Sequence, residues 1–338
     1  MTKILITGAG SLIGQGIIKT IEKVSSSYVV FGADYFNDAV GLYWVKKSYI
    51  LPDILKKKSN IKIWEKKILK IIIENKINIV IPGLDFELKL FADLKKKIES
   101  LSKCKIIVSN KEIINTFHDK WLTVDYLKKN KFPYPNSTLI SGLKKFLRKN
   151  KFPLIVKPRI GSTSRNVFLV HNTQELKKAL KYCPNPIIQE YLFKDNNEYT
   201  CGTISHNQKT ISSIVLKRKL KQGNTIKATY ENNSKTEKIN KYLIELSNKI
   251  KPLGPLNFQL CLKKGIPVIF EVNPRFSGTT PLRNIFGVNE VDIIIKAVMN
   301  KPYKVRKNFK NGTIIRYFEN SHKLINWKIF SYSCSNTY

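Results

Sequence analysis

Short apolar runs alternate with segments of helical periodicity over the first 110 residues of this 338-residue chain. Apolar runs that end in turn residues predict strands at residues 3–10, 28–34, 77–83 and 105–110. Between them, residues 12–24 and 61–76 carry apolar side chains at the spacing of an amphipathic helix. This alternation predicts a parallel sheet with helices on both faces, which closes near residue 110.

The pattern changes after residue 110. A helix is predicted around residues 113–124, and Pro133 and Pro135 end it because proline lacks the backbone N–H that a helix needs. Further strands are predicted at residues 151–159, 166–172, 186–192, 200–207, 210–220 and 225–230, a hairpin at 257–272, and helices at 174–183, 238–254 and 289–300. The basic segment 303–338 predicts no element.

A glycine turn separates the first strand from the first helix. Gly8, Gly10 and Gly14 form G-x-G-x-x-x-G, which lets a phosphate approach backbone N–H groups at a helix N-terminus. Asp34 ends the next strand, where an acid would hold a ribose. This pattern favours an NAD-dependent oxidoreductase or epimerase. The same glycines also allow close strand-to-helix packing without a ligand, and we interpret the turn as structural.

The hairpin carries the most specific polar pattern. Side chains alternate along a strand, so Glu271, Asn273 and Arg275 share one face. A three-residue turn centred on Gly265 would place Gln259 opposite Glu271. The opposite face, expected in the core, holds Val268, Phe270 and Val272. One carboxylate, two amide oxygens and a guanidinium on one patch predict a Mg²⁺ site whose remaining ligands come from phosphates.

A second polar cluster suits a nucleotide. Lys157 ends a strand, and the loop after it offers Gly161, Ser162, Thr163 and Ser164 as small donors to a phosphate. Lys120 lies on the preceding helix. The strand that ends at Glu190, Tyr191 and Leu192 exposes backbone that an adenine can contact. Glu198, eight residues after Glu190, can accept hydrogen bonds from both ribose hydroxyls.

With these residues in this order, the chain resembles the ATP-grasp superfamily, and most closely one half of a carbamoyl-phosphate synthetase large subunit. The resemblance covers about residues 1–300 and implies an α/β fold. It implies a Rossmann-like pre-ATP-grasp parallel sheet, then a two-lobed α+β ATP-grasp domain. The implied segments are 1–112 for the first domain, 113–302 for the second with lobes at about 130–190 and 190–302, and 303–338 for a tail of unknown role.

The resemblance implies an ATP- and Mg²⁺- (or Mn²⁺-) dependent ligase that forms carbon–nitrogen bonds. A carboxylate would become an acyl phosphate, which an amine or another nucleophile attacks. The implied phosphate ligands are Lys120, Lys157, Gly161 and Ser162, the adenine and ribose contacts are Glu190, Tyr191, Leu192 and Glu198, the metal ligands are Gln259, Glu271 and Asn273, and the catalytic residues are Arg275 and Lys157.

The chain departs from the family pattern in two places. Its phosphate loop keeps only Gly161, while Thr163 and Asn166 stand where relatives carry glycines. Asparagine tolerates positive φ, so Asn166 suits such a position. The first metal position is Gln259, where many relatives carry glutamate. The chain also has one ATP-grasp copy, whereas a full carbamoyl-phosphate synthetase has two.

Charge and cysteine content bear on partners and location. The chain holds 60 Lys and Arg against 24 Asp and Glu, a net charge of +36 that attracts polyanions. Nucleic-acid binding is therefore a third hypothesis, although the composition of an AT-rich genome would produce the same bias, and we expect none. The five scattered cysteines argue against a disulfide framework and are typical of a reducing cytoplasm. The N-terminus lacks signal-peptide features.

The expected partner is an acidic small-molecule substrate. No apolar stretch reaches the roughly 18 residues of a membrane helix, so we expect no membrane span. A homodimer stays an open alternative. The cations expected near the substrate carboxylate are Lys217, Arg218 and Arg283, beside the loop at residues 277–280.

Overall fold

The computed structural model describes residues 1–24, 27–161, 165–193, 197–306 and 309–317. It confirms the predicted α/β fold class, with a parallel sheet in the N-terminal part followed by two antiparallel sheets. Within these ranges, no helix combines the length and the apolar character that crossing a membrane requires.

The first sheet has five parallel strands in the order β3-β2-β1-β4-β5. Its elements are β1 (Thr2–Thr7), α1 (Leu12–Glu22), β2 (Tyr28–Asp34), a 3₁₀ helix (Val40–Tyr43), β3 (Lys47–Ile50), α2 (Asn60–Asn75), β4 (Ile79–Ile81), α3 (Asp85–Ser102) and β5 (Lys105–Ile106). The short edge strand β3 and the 3₁₀ helix were not predicted from the sequence.

Both faces of this sheet are buried. Ile4 and Ile6 of β1 pack in one core with α1, whereas Leu5 packs in a second core with Trp64 of α2 and Phe91 of α3. Burial on both faces explains why the strands are continuous apolar runs rather than alternating ones.

The segment that follows is a broken helix. The predicted single helix is two helices, α4 (Lys111–His118) and α5 (Lys120–Lys129). Asp119 has an extended backbone between them, and its carboxylate caps α5 by accepting from the backbone N–H of Trp121 at 2.8 Å. Arg159 pairs with the same carboxylate, its Nη2 at 2.6 Å. The break makes Lys120 the first residue of α5, and its backbone N–H donates to the Arg159 carbonyl oxygen at 2.9 Å.

A four-stranded antiparallel sheet, in the order β6-β9-β7-β8, comes next. Its elements are β6 (Ser137–Thr138), a 3₁₀ helix (Ile140–Gly142), α6 (Leu143–Lys149), β7 (Leu154–Pro158), β8 (Phe168–Val170), α7 (Thr173–Tyr182) and β9 (Pro186–Glu190). Leu154 and Val156 of β7 lie in its small core. Because side chains alternate along a strand, Ile155 and Lys157 lie on the opposite face of the sheet, where they line a cavity between this sheet and the next one.

The third sheet has six antiparallel strands in the order β14-β13-β10-β11-β12-β15. Its elements are β10 (Glu198–His206), β11 (Lys209–Lys221), β12 (Asn224–Tyr230), α8 (Ser234–Ile250), β13 (Gly254–Lys263), β14 (Ile266–Asn273), α9 (Thr280–Ile285), α10 (Glu290–Val298) and β15 (Gly312–Ile315). The last strand comes from the segment for which the sequence predicted no element.

Helices cover both faces of the six-stranded sheet. Cys201 and Val215 pack against α8 on one face. Ile204 and Leu216, on the other face, share a core with α10 and with Ile17 of α1. The first and third sheets therefore bury one continuous apolar core between them. This core fixes the position of the first sheet relative to the six-stranded sheet.

Candidate functional site

Two adjoining cavities lie where the three sheets meet. The first, of about 160 Å³, lies between the four-stranded and six-stranded sheets. The second, of about 260 Å³, lies between the six-stranded sheet and the turns that follow β1 and β4. Three polar side chains line both cavities: Arg218, Gln259 and Glu271.

The β13–β14 hairpin confirms the predicted pairing by a different route. Lys263 pairs with Ile266, so the turn has two residues, Lys264 at φ 50° and Gly265 at φ 74°, instead of the three predicted. A register shift between positions 259 and 260 adds one residue to β14. The two differences cancel, and Gln259 lies opposite Glu271 as predicted.

The bulge corrects the predicted face of Phe270. It is the extra residue of β14, and it lines the first cavity instead of entering the core. Ile269 and Val272 fill the core of the six-stranded sheet on either side of it. A bulge interrupts the two-residue alternation, so strict alternation assigned this ring to the wrong face.

The three predicted metal ligands form one hydrogen-bonded group. Gln259 Nε2 donates to Glu271 Oε1 at 3.2 Å, and Asn273 Nδ2 donates to the same oxygen at 2.9 Å. The side-chain oxygen of Gln259 accepts from Arg218 Nη2 at 2.8 Å. The structure therefore brings the carboxylate and both amides together, and Gln259 and Glu271 line both cavities.

Two buried lysines face Glu271. Lys157 Nζ lies 5.3 Å from the Phe270 ring centroid and 3.5 Å from the Phe270 carbonyl oxygen. Lys120 Nζ donates to the Gly161 carbonyl at 2.9 Å. Both lysines are at most 8% exposed. They concentrate positive charge beside the carboxylate in a place that water reaches poorly.

Burial and neighbouring charges shift the pKa values of this group. Burial lowers the pKa of Lys157 to about 8, more than Glu271 raises it. Burial alone would raise the pKa of Glu271, but Lys120, Asn273, Lys157 and Arg218 outweigh it and hold that pKa below its ordinary value. Glu271 is thus an anion surrounded by cationic and amide groups, with excess positive charge around it.

Arg275 makes a bidentate ion pair that the sequence did not predict. Its Nε and Nη2 donate to the two carboxylate oxygens of Asp85 at 2.5 and 2.9 Å. Asp85 begins α3, directly after the turn that ends β4. Burial alone would raise the pKa of Asp85, but Arg275, with smaller contributions from His118 and Lys120, outweighs burial and holds that pKa below its ordinary value. The pair joins the first sheet to the polar end of β14.

Of the four predicted adenine and ribose residues, Glu198 lines the first cavity, whereas Glu190, Tyr191 and Leu192 are not among its lining residues. The Glu190 carboxylate accepts from the Asn136 backbone N–H at 2.9 Å and pairs with Lys263. Glu198 lines the cavity and is paired with Arg218, whose Nε lies 2.9 Å from Oε1. Phe193, next to the predicted Tyr191 and Leu192, lines the cavity and stacks edge-on against the Phe270 ring at 5.2 Å.

The predicted phosphate loop is described only at its two ends. Gly161 borders the first cavity. Ser162, with Thr163 and Ser164, lies outside the described residues. Asn166, expected to replace a glycine, has φ 55°. An asparagine in that conformation agrees with the expectation for this position.

The glycine turn is filled by protein atoms. Gly10 N donates to Asp34 Oδ2 at 2.8 Å, and the other Asp34 oxygen accepts from Tyr35 N at 2.7 Å. A Cβ added to Gly10 would lie 2.5 Å from the Ala39 Cβ. One added to Gly14 would lie 2.1 Å from the Gly8 carbonyl oxygen. These contacts support a packing role for the turn, and nothing in the site favours the oxidoreductase alternative.

Only one of the three cations expected near a substrate carboxylate lines a cavity. Arg218 does so, whereas its neighbour Lys217 lies on the opposite face of β11 because strand side chains alternate. Arg283 is 1% exposed, and its Nη1 donates to Glu290 Oε1 at 3.0 Å. Its Nη2 donates to Asn257 Oδ1 at 2.5 Å. Arg283 therefore does not line the second cavity itself, but it donates to Asn257, which does.

The site thus combines a buried carboxylate, two amides and two lysines with two aromatic rings in edge-on contact, Phe193 and Phe270. The sequence model of the ATP-grasp domain matches residues 117–279, which include the predicted site residues from Lys120 to Arg275. The model of the PylC-like N-terminal domain matches residues 4–107. The larger match shows that residues 117–279 are similar to an ATP-grasp domain.

Individual relatives agree with this assignment. The chain is 32% identical to a D-alanine–D-alanine ligase of Petrotoga mobilis over 112 residues, 32% of this chain and 36% of the ligase. It is 23% identical to a carbamoyl phosphate synthase large chain of a Thermoanaerobacter species over 223 residues, 62% of this chain and 21% of that protein. The matches thus span only about a third and a fifth of these relatives.

Solved structures resemble the whole described fold. An N5-carboxyaminoimidazole ribonucleotide synthetase solved with ADP superposes with a TM-score of 0.75 at 13% identity, over 93% of this chain and 81% of that one. This similarity shows the fold, and it extends across all three sheets.

Proposed function

We propose that this protein is an ATP- and Mg²⁺-dependent ligase that joins a carboxylate to an amine or another nucleophile. The observation that carries the proposal is the group of Glu271, Gln259 and Asn273 beside Lys120 and Lys157. Oxygen donors of this kind suit Mg²⁺ or Mn²⁺, and the surplus positive charge suits polyphosphate. The match of residues 117–279 to the ATP-grasp domain supports the same interpretation.

The residues fit a bound nucleotide in defined roles. Phe193 and Phe270 provide apolar walls for an adenine next to the backbone of residues 190–192. Glu198 is placed to accept from ribose hydroxyls, which would compete with Arg218 for its oxygens. Lys120 and Lys157 reach the phosphates, and a Mg²⁺ held by the three ligands above would neutralise phosphate charge. Each role stays a proposal for the named residue.

The reaction proposed is acyl phosphate formation followed by substitution. A substrate carboxylate oxygen attacks the γ-phosphorus of ATP, and ADP leaves with the bridging oxygen. The nucleophile then attacks the acyl carbon, and orthophosphate leaves. Arg275, held by Asp85, lies at the end of β14 and is placed to stabilise charge on the transferred phosphoryl group. The rest of the catalytic effect would come from holding the two substrates in the reactive orientation, for which the sheets provide a rigid frame.

The products test the reaction class. Incubation of the protein with ATP, Mg²⁺ and mixtures of carboxylates and amines should release ADP and orthophosphate, and hydroxylamine should trap a hydroxamate. Release of AMP and pyrophosphate would contradict an acyl phosphate route. Glu271→Gln should abolish turnover while the melting temperature without ligands changes little, because the carboxylate would bind the metal. Glu22→Gln, at an exposed position on α1, is the matched control and should keep full activity.

Location and assembly are further parts of the proposal. We infer a cytoplasmic protein that acts on an acidic small molecule. Four cysteines support a reducing compartment because they are buried free thiols: Cys104, Cys183, Cys201 and Cys261. A homodimer stays a prediction, which sedimentation equilibrium tests.

A further inference from the structure

The second cavity holds an arginine from outside both matched family segments. Arg316 directly follows β15, and its side chain lines this cavity. The backbone pairing of β15 with β12 holds it there, and the Arg316 backbone N–H donates to the Ile226 carbonyl at 2.8 Å. The position of this guanidinium is therefore built into the six-stranded sheet.

One nitrogen of this guanidinium has no hydrogen-bond partner among the described residues. Arg316 Nη2 donates to the Gly278 carbonyl oxygen. Nη1 is buried, and no hydrogen-bond partner is found for it in the described part of the chain. A buried donor without a partner is unfavourable, and more so when it is charged. Such a group is expected to meet a ligand.

The other two arginines of the cavity are already neutralised. Arg218 is paired with Glu198, and Arg275 is paired with Asp85. Arg316 forms no ion pair with an acidic residue in the ranges that the structure describes. It therefore supplies the uncompensated positive charge on the wall of this cavity.

From these contacts we infer that Arg316 binds a carboxylate group of the substrate in the second cavity. The inference rests on the proposed ligase function, and it names the residue that selects an acidic substrate. The guanidinium edge matches a carboxylate in shape. Asp85 and Glu271 also line this cavity, so a singly charged carboxylate is tolerated better than a doubly charged phosphate.

The cavity limits the size of that substrate. A volume of about 260 Å³ suits a small molecule such as an amino acid or a small sugar acid. The first turn of α1 reaches the same cavity at Ser11 and Leu12, and its N-terminal dipole adds to the positive potential. A neutral substrate would lack the charge that pairs with Arg316.

Equilibrium binding tests the inference without requiring turnover. Melting temperatures of the full chain are measured with the twenty common amino acids and glucuronate, and with their amides and glucose as neutral counterparts. Inorganic phosphate is a separate arm. At least one carboxylate should stabilise the protein while its neutral counterpart does not. Arg316→Gln, which can still donate to Gly278, should weaken that binding about 10- to 100-fold.

A second arginine variant serves as the control for this binding experiment. Arg148→Gln removes the same charge from an exposed position of α6 and should bind like wild type. Should Arg316→Gln not fold, Arg316→Lys takes its place, and an unchanged affinity would contradict the inference. Equal binding by Arg316→Gln, a response to phosphate alone, or no response from wild type would each overturn it. A stabilisation by ATP–Mg²⁺ tests the ligase proposal separately, so the two failures are distinguishable.

Discussion

Replacing Lys157 should make the unliganded protein more stable and remove ATP binding at the same time. Burial lowers the pKa of Lys157 from its ordinary 10.5 to about 8. That difference corresponds to about 3 kcal/mol of unfavourable free energy for keeping the ammonium charged in the folded state at pH 7. Lys157→Met keeps the length of the side chain without the charge. Part of the gain is lost because Glu271 loses a neighbouring cation, so we expect about 1–3 kcal/mol of stabilisation.

The stability difference between Lys157→Met and the wild-type protein should also depend on pH in a defined direction. Below pH 8 the lysine is charged in both states, so its full cost is present. Between pH 8 and 10.5 the folded protein has released the proton and the unfolded chain still holds it. The unfolded state then binds more protons, and wild-type stability rises with pH relative to the variant. The advantage of Lys157→Met should therefore shrink as the pH rises from 8 towards 10.5.

Urea denaturation at a series of pH values measures the free energy of unfolding, and a melting shift with ATP–Mg²⁺ measures binding. The variant should lose that shift, because each charge-assisted hydrogen bond to phosphate contributes about 1.5–3 kcal/mol. Lys144→Met, at an exposed position of α6, is the charge-matched control and should change neither quantity much. A variant less stable than wild type at pH 7, or one that still binds ATP normally, would refute the reasoning.

Two further predictions concern the N-terminal sheet. Gly10→Ala should lower the free energy of unfolding by about 1–3 kcal/mol, because the new methyl group would collide with Ala39. The melting shift with ATP–Mg²⁺ should not change. A micromolar affinity of the wild-type protein for NAD(H) would contradict this interpretation and favour the oxidoreductase. Burial raises the pKa of Glu87 from 4.5 to about 7, so the folded state binds more protons between these values and wild-type stability falls as pH rises through them. Glu87→Gln should remove up to about 3 kcal/mol of that fall in urea titrations, and an unchanged pH profile would contradict it.

The sequence alone determined the class of each layer and the chemistry at the strand ends. Continuous apolar runs indicated a parallel sheet buried on both faces, and the structure confirms it. The polar side chains of the hairpin could be placed because Gln259 and Glu271 are joined by a short turn. Local periodicity carries this information since it depends only on neighbours along the chain.

Tertiary structure decided what local periodicity does not encode. The bulge that turns Phe270 into the first cavity depends on how β14 pairs with β13. Asp85 meets Arg275 across 190 residues of chain, and Arg316 reaches its cavity only because β15 pairs with β12. A single charged residue among many has no distinguishing pattern in sequence, since its role comes from partners brought together when the sheets pack. The hydrophobic pattern therefore specified the elements, whereas packing between them decided which cavity arginines were paired with carboxylates and which was not, among the described residues.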